Sequence, residues 1–241
     1  MDRFDAVLFD LDGVLTATAK VHAACWKQMF DEYLRKRAAE NNEPFQPFDI
    51  ETDYRLYVDG KPRFDGVRDF LRSRGIHLPE GPPDASPGSQ TVRGLGNRKN
   101  EMINAVIEAD GVEVYGGSVA LVRQLRRQGI KTAVVSSSHN CEAVLNAAGI
   151  ADLFDLRVDG GVADRLKLAG KPAPDTYLTA AKQLGVEPKR AVVVEDALSG
   201  VQAGRDGGFG LVIGVARKDN ADELKKNGAD IVGADLGEML N

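Results

Sequence analysis

RFDAVLFDLDGVLTAT, residues 3–18, is the stretch on which the reading of the whole chain turns. Its first half alternates and then thickens into Ala6-Val7-Leu8-Phe9, the pattern of a buried strand. Asp10 and Asp12 follow at once, two positions apart. In extended chain such side chains point the same way, so both carboxylates can face one pocket at the strand's carboxyl end. Gly13 leaves the backbone free to turn sharply there. Like charges held that close repel and raise one another's pKa unless a positive group sits between them. The rest of the chain has to supply that group.

Outward from this strand the chain changes character twice. From about residue 117 apolar runs alternate with helical segments, and Gly129, Gly149, Gly185 and Gly228 each stand just past an amphipathic stretch, as helix C-caps do. Runs such as Ala191-Val192-Val193-Val194 are too apolar for strands with a wet face and predict a parallel sheet covered by helices. The opening strand belongs with this half. The expected architecture is therefore α/β: a Rossmann-like parallel core of residues 1–16 and 113–241, with residues 17–112 as an inserted, mostly helical domain. Within the insertion, residues 20–40 and 65–74 show helical spacing, the latter stopping at Gly75. Residues 80–91, EGPPDASPGSQT, read as a surface loop. A further helix is expected over 97–109, with Asn97 as its cap. The stretch between, from Asn41 to Arg63, reads as polar chain with a turn at Asp59-Gly60.

The chain has 241 residues, 43% hydrophobic and 28% charged, with a formal net charge of -5. Intermixed charge of that sign argues against a nucleic-acid or anionic-membrane surface, which needs a basic excess. The two cysteines, Cys25 and Cys141, fall in no metal-binding spacing and read as buried thiols of a reducing compartment. No apolar run approaches the ~18 residues of a membrane helix, and the first residues lack the features of a signal peptide. A cytoplasmic protein is expected, with monomer as the default state.

Three further polar clusters are expected at the carboxyl ends of strands, where open α/β sheets bind their ligands. VVSSSHN, residues 134–140, sets Ser136, Ser137 and Ser138 after a strand and before a helix, where hydroxyls and helix N–H groups suit a phosphate. GKPAPD, residues 170–175, holds Lys171 ahead of two prolines, where its ammonium could neutralise a phosphate or a carboxylate. VVVEDALSG, residues 192–200, ends a strand on Glu195-Asp196, oxygen donors of the kind Mg²⁺ prefers. Each has an ordinary alternative: a serine N-cap, a solvated Lys-Pro loop, acids at a helix N-terminus. Their joint occurrence in this order is much harder to obtain by chance.

On these residues the chain resembles the haloacid dehalogenase superfamily, whose four motifs match Asp10-Leu11-Asp12-Gly13-Val14, Ser136, Lys171 and Glu195-Asp196. The insertion matches that family's helical cap. The resemblance implies a nucleophilic Asp10 that takes a phosphoryl group and an Asp12 that serves as general acid and base. It also implies a Mg²⁺ site of Asp10, Asp12 (through its carbonyl) and Asp196, with Glu195 close by. Ser136, Ser137 and Lys171 would hold the transferring phosphate.

The insertion narrows the resemblance to the β-phosphoglucomutase-like branch. TATAKVHAACWK, residues 16–27, matches a pattern carrying Thr18, His22 and Trp26. DGKPRFDG, residues 59–66, matches a segment with Gly60 and the phosphate-binding Arg63. NRKN, residues 97–100, supplies Lys99 and Asn100, and the core loop adds Ser138 and Asn140. Such a mutase grips two phosphates of a hexose bisphosphate, and these residues would supply the second grip. The implied reaction interconverts β-glucose 1-phosphate and glucose 6-phosphate through an aspartyl-phosphate and a 1,6-bisphosphate. A sugar-phosphate phosphatase sharing the first half-reaction is the alternative. A catalytically inert binding domain would lack one of Asp10, Asp12, Lys171 or Asp196, and all are present. Without the family pattern, His22 and Trp26 read as packing residues and Arg63 and Lys99 as surface charges. The chain departs from the branch at Ala17, where an acid is common, at His139, where a longer basic side chain is common, and at Gly116-Gly117, usually Pro-Gly.

Overall fold

The computed structural model describes residues 4–217 and 219–240. It separates into two compact units, the described residues of Met1–Thr18 with Val112–Asn241, and Ala19–Gly111. The first unit is built on a six-stranded sheet in the order β3-β2-β1-β4-β5-β6, every neighbouring pair parallel. Its strands are β1 (Ala6–Phe9), β2 (Lys131–Val135), β3 (Leu156–Val158), β4 (Ala191–Glu195), β5 (Leu211–Val215) and β6 (Ile231–Gly233). The central strand β1 pairs Phe9 with Val134 on one side and Val194 on the other, so the residues after these three strands emerge level with one another.

Alternate strand residues explain the unbroken apolar runs. Ala6, Leu8, Ala133, Val135, Ala191 and Val193 pack with Tyr177, Ala180, Ala181 and Leu184 of helix α7 (Asp175–Leu184). Val7, Phe9, Val134, Val192 and Val194 on the opposite face are equally buried. A strand with helices on both faces has no wet side, and each buried Val contributes about 1.5–3 kcal/mol. The predicted C-cap glycines Gly129, Gly149, Gly185 and Gly228 all have positive φ, between 65° and 122°. Helices α4 (Gly116–Arg127) and α5 (Cys141–Ala147) follow the sequence reading, but one helix escapes it: α6 (Gly160–Leu166) opens on two glycines and ends at Lys167 rather than at a glycine. Its N-cap is Asp159, whose side chain accepts from Val162 N at 2.9 Å.

The second unit is helical. α1 (Thr18–Asn41), α2 (Arg63–Ser73) and α3 (Val92–Asp110) enclose an aromatic core with a π-helix, Ile50–Val58. Residues Trp26, Met29, Phe30 and Tyr33, spaced at three and four, place one face of α1 against Phe48, Phe70, Val92 and Leu95. Phe30 lies at its centre, 5.3 Å from the Trp26 ring, 5.1 Å from Phe48 and 4.2 Å from Phe70. α2 begins two residues earlier than predicted and stops before Gly75, whose φ is +68°.

Two expectations need correction. The helix predicted to start at Asn97 starts at Val92, capped by Thr91, whose hydroxyl accepts from Gly94 N at 2.9 Å. Gly94 and Gly96 hid this first turn, because glycine weakens any helical signal. Gly96 is there for contact: a Cβ on it would stand 2.7 Å from the Phe64 ring. Asn97 instead donates to Ala85 O at 3.0 Å, tying the loop of residues 80–91 to α3. The stretch read as polar chain contains the π-helix, which buries Asp53, Tyr54 and Val58.

Asp31 shows how the segment before the π-helix is held. It is buried, accepts from Phe48 N at 2.8 Å and pairs with Lys27 at 2.9 Å, while Lys27 also donates to Phe48 O at 2.9 Å. Asp31→Ala strands a buried N–H and is expected to cost about 1–3 kcal/mol of unfolding free energy. Urea denaturation checks this, and an unchanged midpoint would contradict the account.

Candidate active site

Asp10 leaves the end of β1 with its N–H on Val194 O at 2.9 Å, and its carboxylate is buried. The positive group that the sequence demanded is Lys171. Its ammonium, also buried, donates to Asp10 Oδ1 at 2.5 Å, Glu195 Oε1 at 2.6 Å and Val135 O at 3.1 Å. Lys171 was expected at a strand end. It lies instead between α6 and α7, because α6 intervenes after β3. Tyr177, fully buried on α7, completes this arrangement: its ring centre is 4.9 Å from the Lys171 ammonium and its hydroxyl donates to Glu195 Oε1 at 2.9 Å. Ala197 N reaches the other oxygen of Glu195 at 3.2 Å.

Burial pushes the Asp10 carboxyl well above the usual carboxylate range. Lys171 pulls it down, while Glu195 and Asp12 add to the rise. For Lys171, burial opposes the charge, yet the Asp10 and Glu195 carboxylates outweigh it and hold the ammonium above its usual range. Tyr177 is pushed up as well, first by burial and then by Glu195. The core of the site is thus one buried ammonium held between two buried carboxyl groups.

Asp10, Glu195 and Asp196 each offer an oxygen within 4.8 Å of the others. Carboxylates so placed fit a hard divalent cation. Gly13 is part of that fit: its φ is +89°, and a Cβ there would stand 1.8 Å from Asp196 Oδ2. Both facts exclude a side chain. Gly200 plays the same part for Glu195, whose Oε1 would lie 1.7 Å from a Cβ.

Asp12 is held by the turn that follows it. Thr18 donates its hydroxyl to Asp12 Oδ1, and Thr16 Oγ1 lies 2.7 Å from Thr18 Oγ1 and 3.2 Å from Leu11 O. Past β2, the loop from Ser136 to Asn140 is braced by its own hydroxyls: Ser136 Oγ accepts from Ser138 N and Ser138 Oγ from Asn140 N, each at 3.1 Å. A hydroxyl accepting in this way keeps its proton to donate to an anion. Ser137 lies between them, half-buried. His139 turns toward α6 and meets Asp164 at 2.9 Å.

In the helical unit, three predicted residues come together. Lys99, buried, stands 2.8 Å from His22 Nδ1 and 5.2 Å from the Trp26 ring centre. An ammonium has only donors, so His22 Nδ1 accepts and the ring proton sits on Nε2. Trp26 is itself a core residue, stacked on Phe30. Arg63 opens α2 after the Gly60 turn, where φ is +70°, and its stem passes Gly96 of α3, one turn before Asn100. Sequence reasoning missed Thr16 and Tyr177. Only Tyr177 left a signal, as an aromatic residue six positions after Lys171.

A family model described as haloacid dehalogenase-like hydrolase matches residues 4–208. A β-phosphoglucomutase of Mycobacterium tuberculosis (strain CDC 1551 / Oshkosh) is 49% identical over 242 residues, covering 99% of this chain and 92% of the relative. An uncharacterized glycosyl hydrolase of the same strain is 40% identical over 235 residues, covering 98% of this chain but 17% of that protein. Among solved structures, a β-phosphoglucomutase from Clostridium difficile has a TM-score of 0.75 at 25% identity, covering 98% of this chain and 93% of that one.

Proposed function

Because the chain belongs to the haloacid dehalogenase-like hydrolase family, we propose that it moves phosphoryl groups of sugar phosphates through Asp10, as a mutase of β-glucose 1-phosphate and glucose 6-phosphate. The observation that carries the phosphoryl-transfer reading is the buried Lys171 bridging Asp10 and Glu195 beside Asp196. The mutase reading draws on the 49% identity to a β-phosphoglucomutase, which runs through both structural units.

Four carboxylates, Asp10, Asp12, Glu195 and Asp196, share this region with one lysine, so an anionic substrate needs a further cation. Mg²⁺ would be held by the Asp10 and Asp196 carboxylates with the Asp12 carbonyl. When bound it neutralises charge on the transferring phosphoryl oxygens. Both oxygens of Glu195 already accept bonds, so its part is to anchor Lys171.

In the first half-reaction an Asp10 oxygen attacks phosphorus, the bond to the sugar oxygen breaks, and the Asp12 carboxylic acid protonates that leaving oxygen. In the second, the acceptor hydroxyl gives its proton to the Asp12 carboxylate and attacks phosphorus, and the Asp10 carboxylate departs. Ser136, Ser137 and Lys171 would hold the transferring group in line, where positioning supplies most of the acceleration. Ser138, Asn140, Arg63, Lys99, Asn100 and Gly60 would hold the second phosphate and sugar, with Thr18, His22 and Trp26 setting Asp12 and Lys99. The relevant substrate is a β-1,6-bisphosphate intermediate, reoriented between the two transfers.

A phosphatase differs only in the second acceptor, water, and the hydrolase description of the family keeps it as the alternative. The test is to supply Mg²⁺, β-glucose 1-phosphate and a trace of the 1,6-bisphosphate, and to follow glucose 6-phosphate and free phosphate together. Glucose 6-phosphate should form in large excess over phosphate. Steady phosphate release without isomerisation would replace the mutase by the phosphatase.

A further inference from the structure

We propose that Arg217 is a positioning residue for the proton transfer, locking the turn that carries Asp12. The proposal rests on the reading of Asp12 as proton donor, and it assigns work to a residue from the far end of the chain.

Arg217 follows β5, and its guanidinium uses every nitrogen. Nε donates to Gly13 O at 2.7 Å, one terminal nitrogen to Val14 O at 3.3 Å and the other to Ala234 O at 3.1 Å. Its Cζ lies over the Tyr115 ring, 3.5 Å from the centre. Gly13 and Val14 are the two residues directly after Asp12. The neighbouring carbonyls of the same turn are also engaged. Val14 O accepts from the buried Ser118 hydroxyl at 2.6 Å, Leu15 O from Tyr115 N at 2.9 Å, and Thr16 O from Gly13 N at 2.7 Å. Ala17 N then donates to Glu113 O at 2.9 Å. All of these partners lie in the first unit, so Arg217 joins a turn whose neighbouring peptides are already bonded within that unit.

The geometry decides what kind of role this is. Contacts go to backbone carbonyls and a ring face, not to a carboxylate, so they fix peptide orientation rather than balance a charge. Peptide orientation at Gly13 matters because its φ of +89° turns the chain directly after Asp12, with Gly13 N already held on Thr16 O. A planar fork can serve three carbonyls at once while stacked on an aromatic face; an ammonium cannot. Lysine at this position would keep the charge and lose most of the clamp.

A misplaced Asp12 harms only reactions that need its proton. Acetyl phosphate and p-nitrophenyl phosphate have leaving groups stable as anions, whereas a sugar alkoxide must be protonated as it departs. Single-turnover phosphorylation of Asp10 by these two donors and by glucose 1,6-bisphosphate, with Mg²⁺ and intact-mass detection, separates the cases. Arg217→Met is expected to slow the sugar donor ~100-fold, the range over which a general acid contributes, and the activated donors less than ~3-fold. Arg217→Lys should fall between Met and wild type on the sugar donor. If Arg217→Met gives no cooperative melt, Arg217→Lys carries the same comparison.

Equal slowing with all three donors, or slowing with none, overturns the proposal while the phosphoryl-transfer reading stands. A wild type that reacts with activated donors but not with the sugar donor overturns both the proposal and the sugar-mutase reading.

Discussion

Asp10→Asn is expected to lower turnover by at least ~10⁴-fold, since the amide cannot serve as the nucleophile. The same variant should keep or raise the melting temperature of the cation-free protein. Burial and the neighbouring Glu195 and Asp12 hold the Asp10 carboxyl above its usual range despite Lys171. A carboxyl whose folded pKa exceeds its unfolded one favours the fold when protonated. That contribution is complete below the unfolded pKa and fades as pH rises through the folded value. A neutral amide escapes the loss, so the gain over wild type should grow across a pH range that runs upward from the usual carboxylate values. Kinetics and thermal melts across that range check both halves. Residual turnover within 100-fold of wild type, or a collapse of the melting temperature, would contradict this account.

Lys171→Met should do the opposite to stability. It leaves Asp10 and the fully buried Glu195 facing one another with their shared cation gone. Breaking a buried pair from one side costs about 3–5 kcal/mol, because the remaining charge is uncompensated. Turnover should also fall by ~10²–10³-fold, as expected for loss of a preorganised electrostatic donor. Adding Glu195→Gln to Lys171→Met should recover part of the stability but little activity, a coupling that a double-mutant cycle measures in urea. Additive stability losses would mean that the Lys171–Glu195 pair is not the unit described here.

How much of this was legible in the chain depended on the range of each interaction. Asp10 and Asp12 could be read because strand geometry makes two-residue spacing meaningful, and Glu195-Asp196 because a strand too apolar for any wet face ended on them. Lys171 could be named, though its position after α6 could not, since that helix opens on Gly160-Gly161 and ends at Lys167 without a glycine cap. Thr91 lost its place as a cap to Asn97 because two glycines thinned the first turns of α3. The clamp of Arg217 on Gly13 O crosses 204 positions and ends on a backbone carbonyl, which carries no residue identity to recognise. Gly117 is similar. Nothing in the local sequence marks it, but a Cβ there would stand 2.0 Å from Asp235 Oδ1 and 2.8 Å from Gly237 N. Among the described residues no helix is long and apolar enough to cross a membrane, and both cysteines are buried thiols.

The central claim is that a phosphoryl group on Asp10 passes to a sugar in preference to water. The most direct measurement loads Asp10 with a labelled phosphoryl group, removes the donor, and chases with β-glucose 1-phosphate or with buffer alone. The account predicts that the label appears in glucose bisphosphate and then glucose 6-phosphate, many-fold faster than its loss in buffer. Label released as inorganic phosphate at one rate, with or without the sugar, would contradict it.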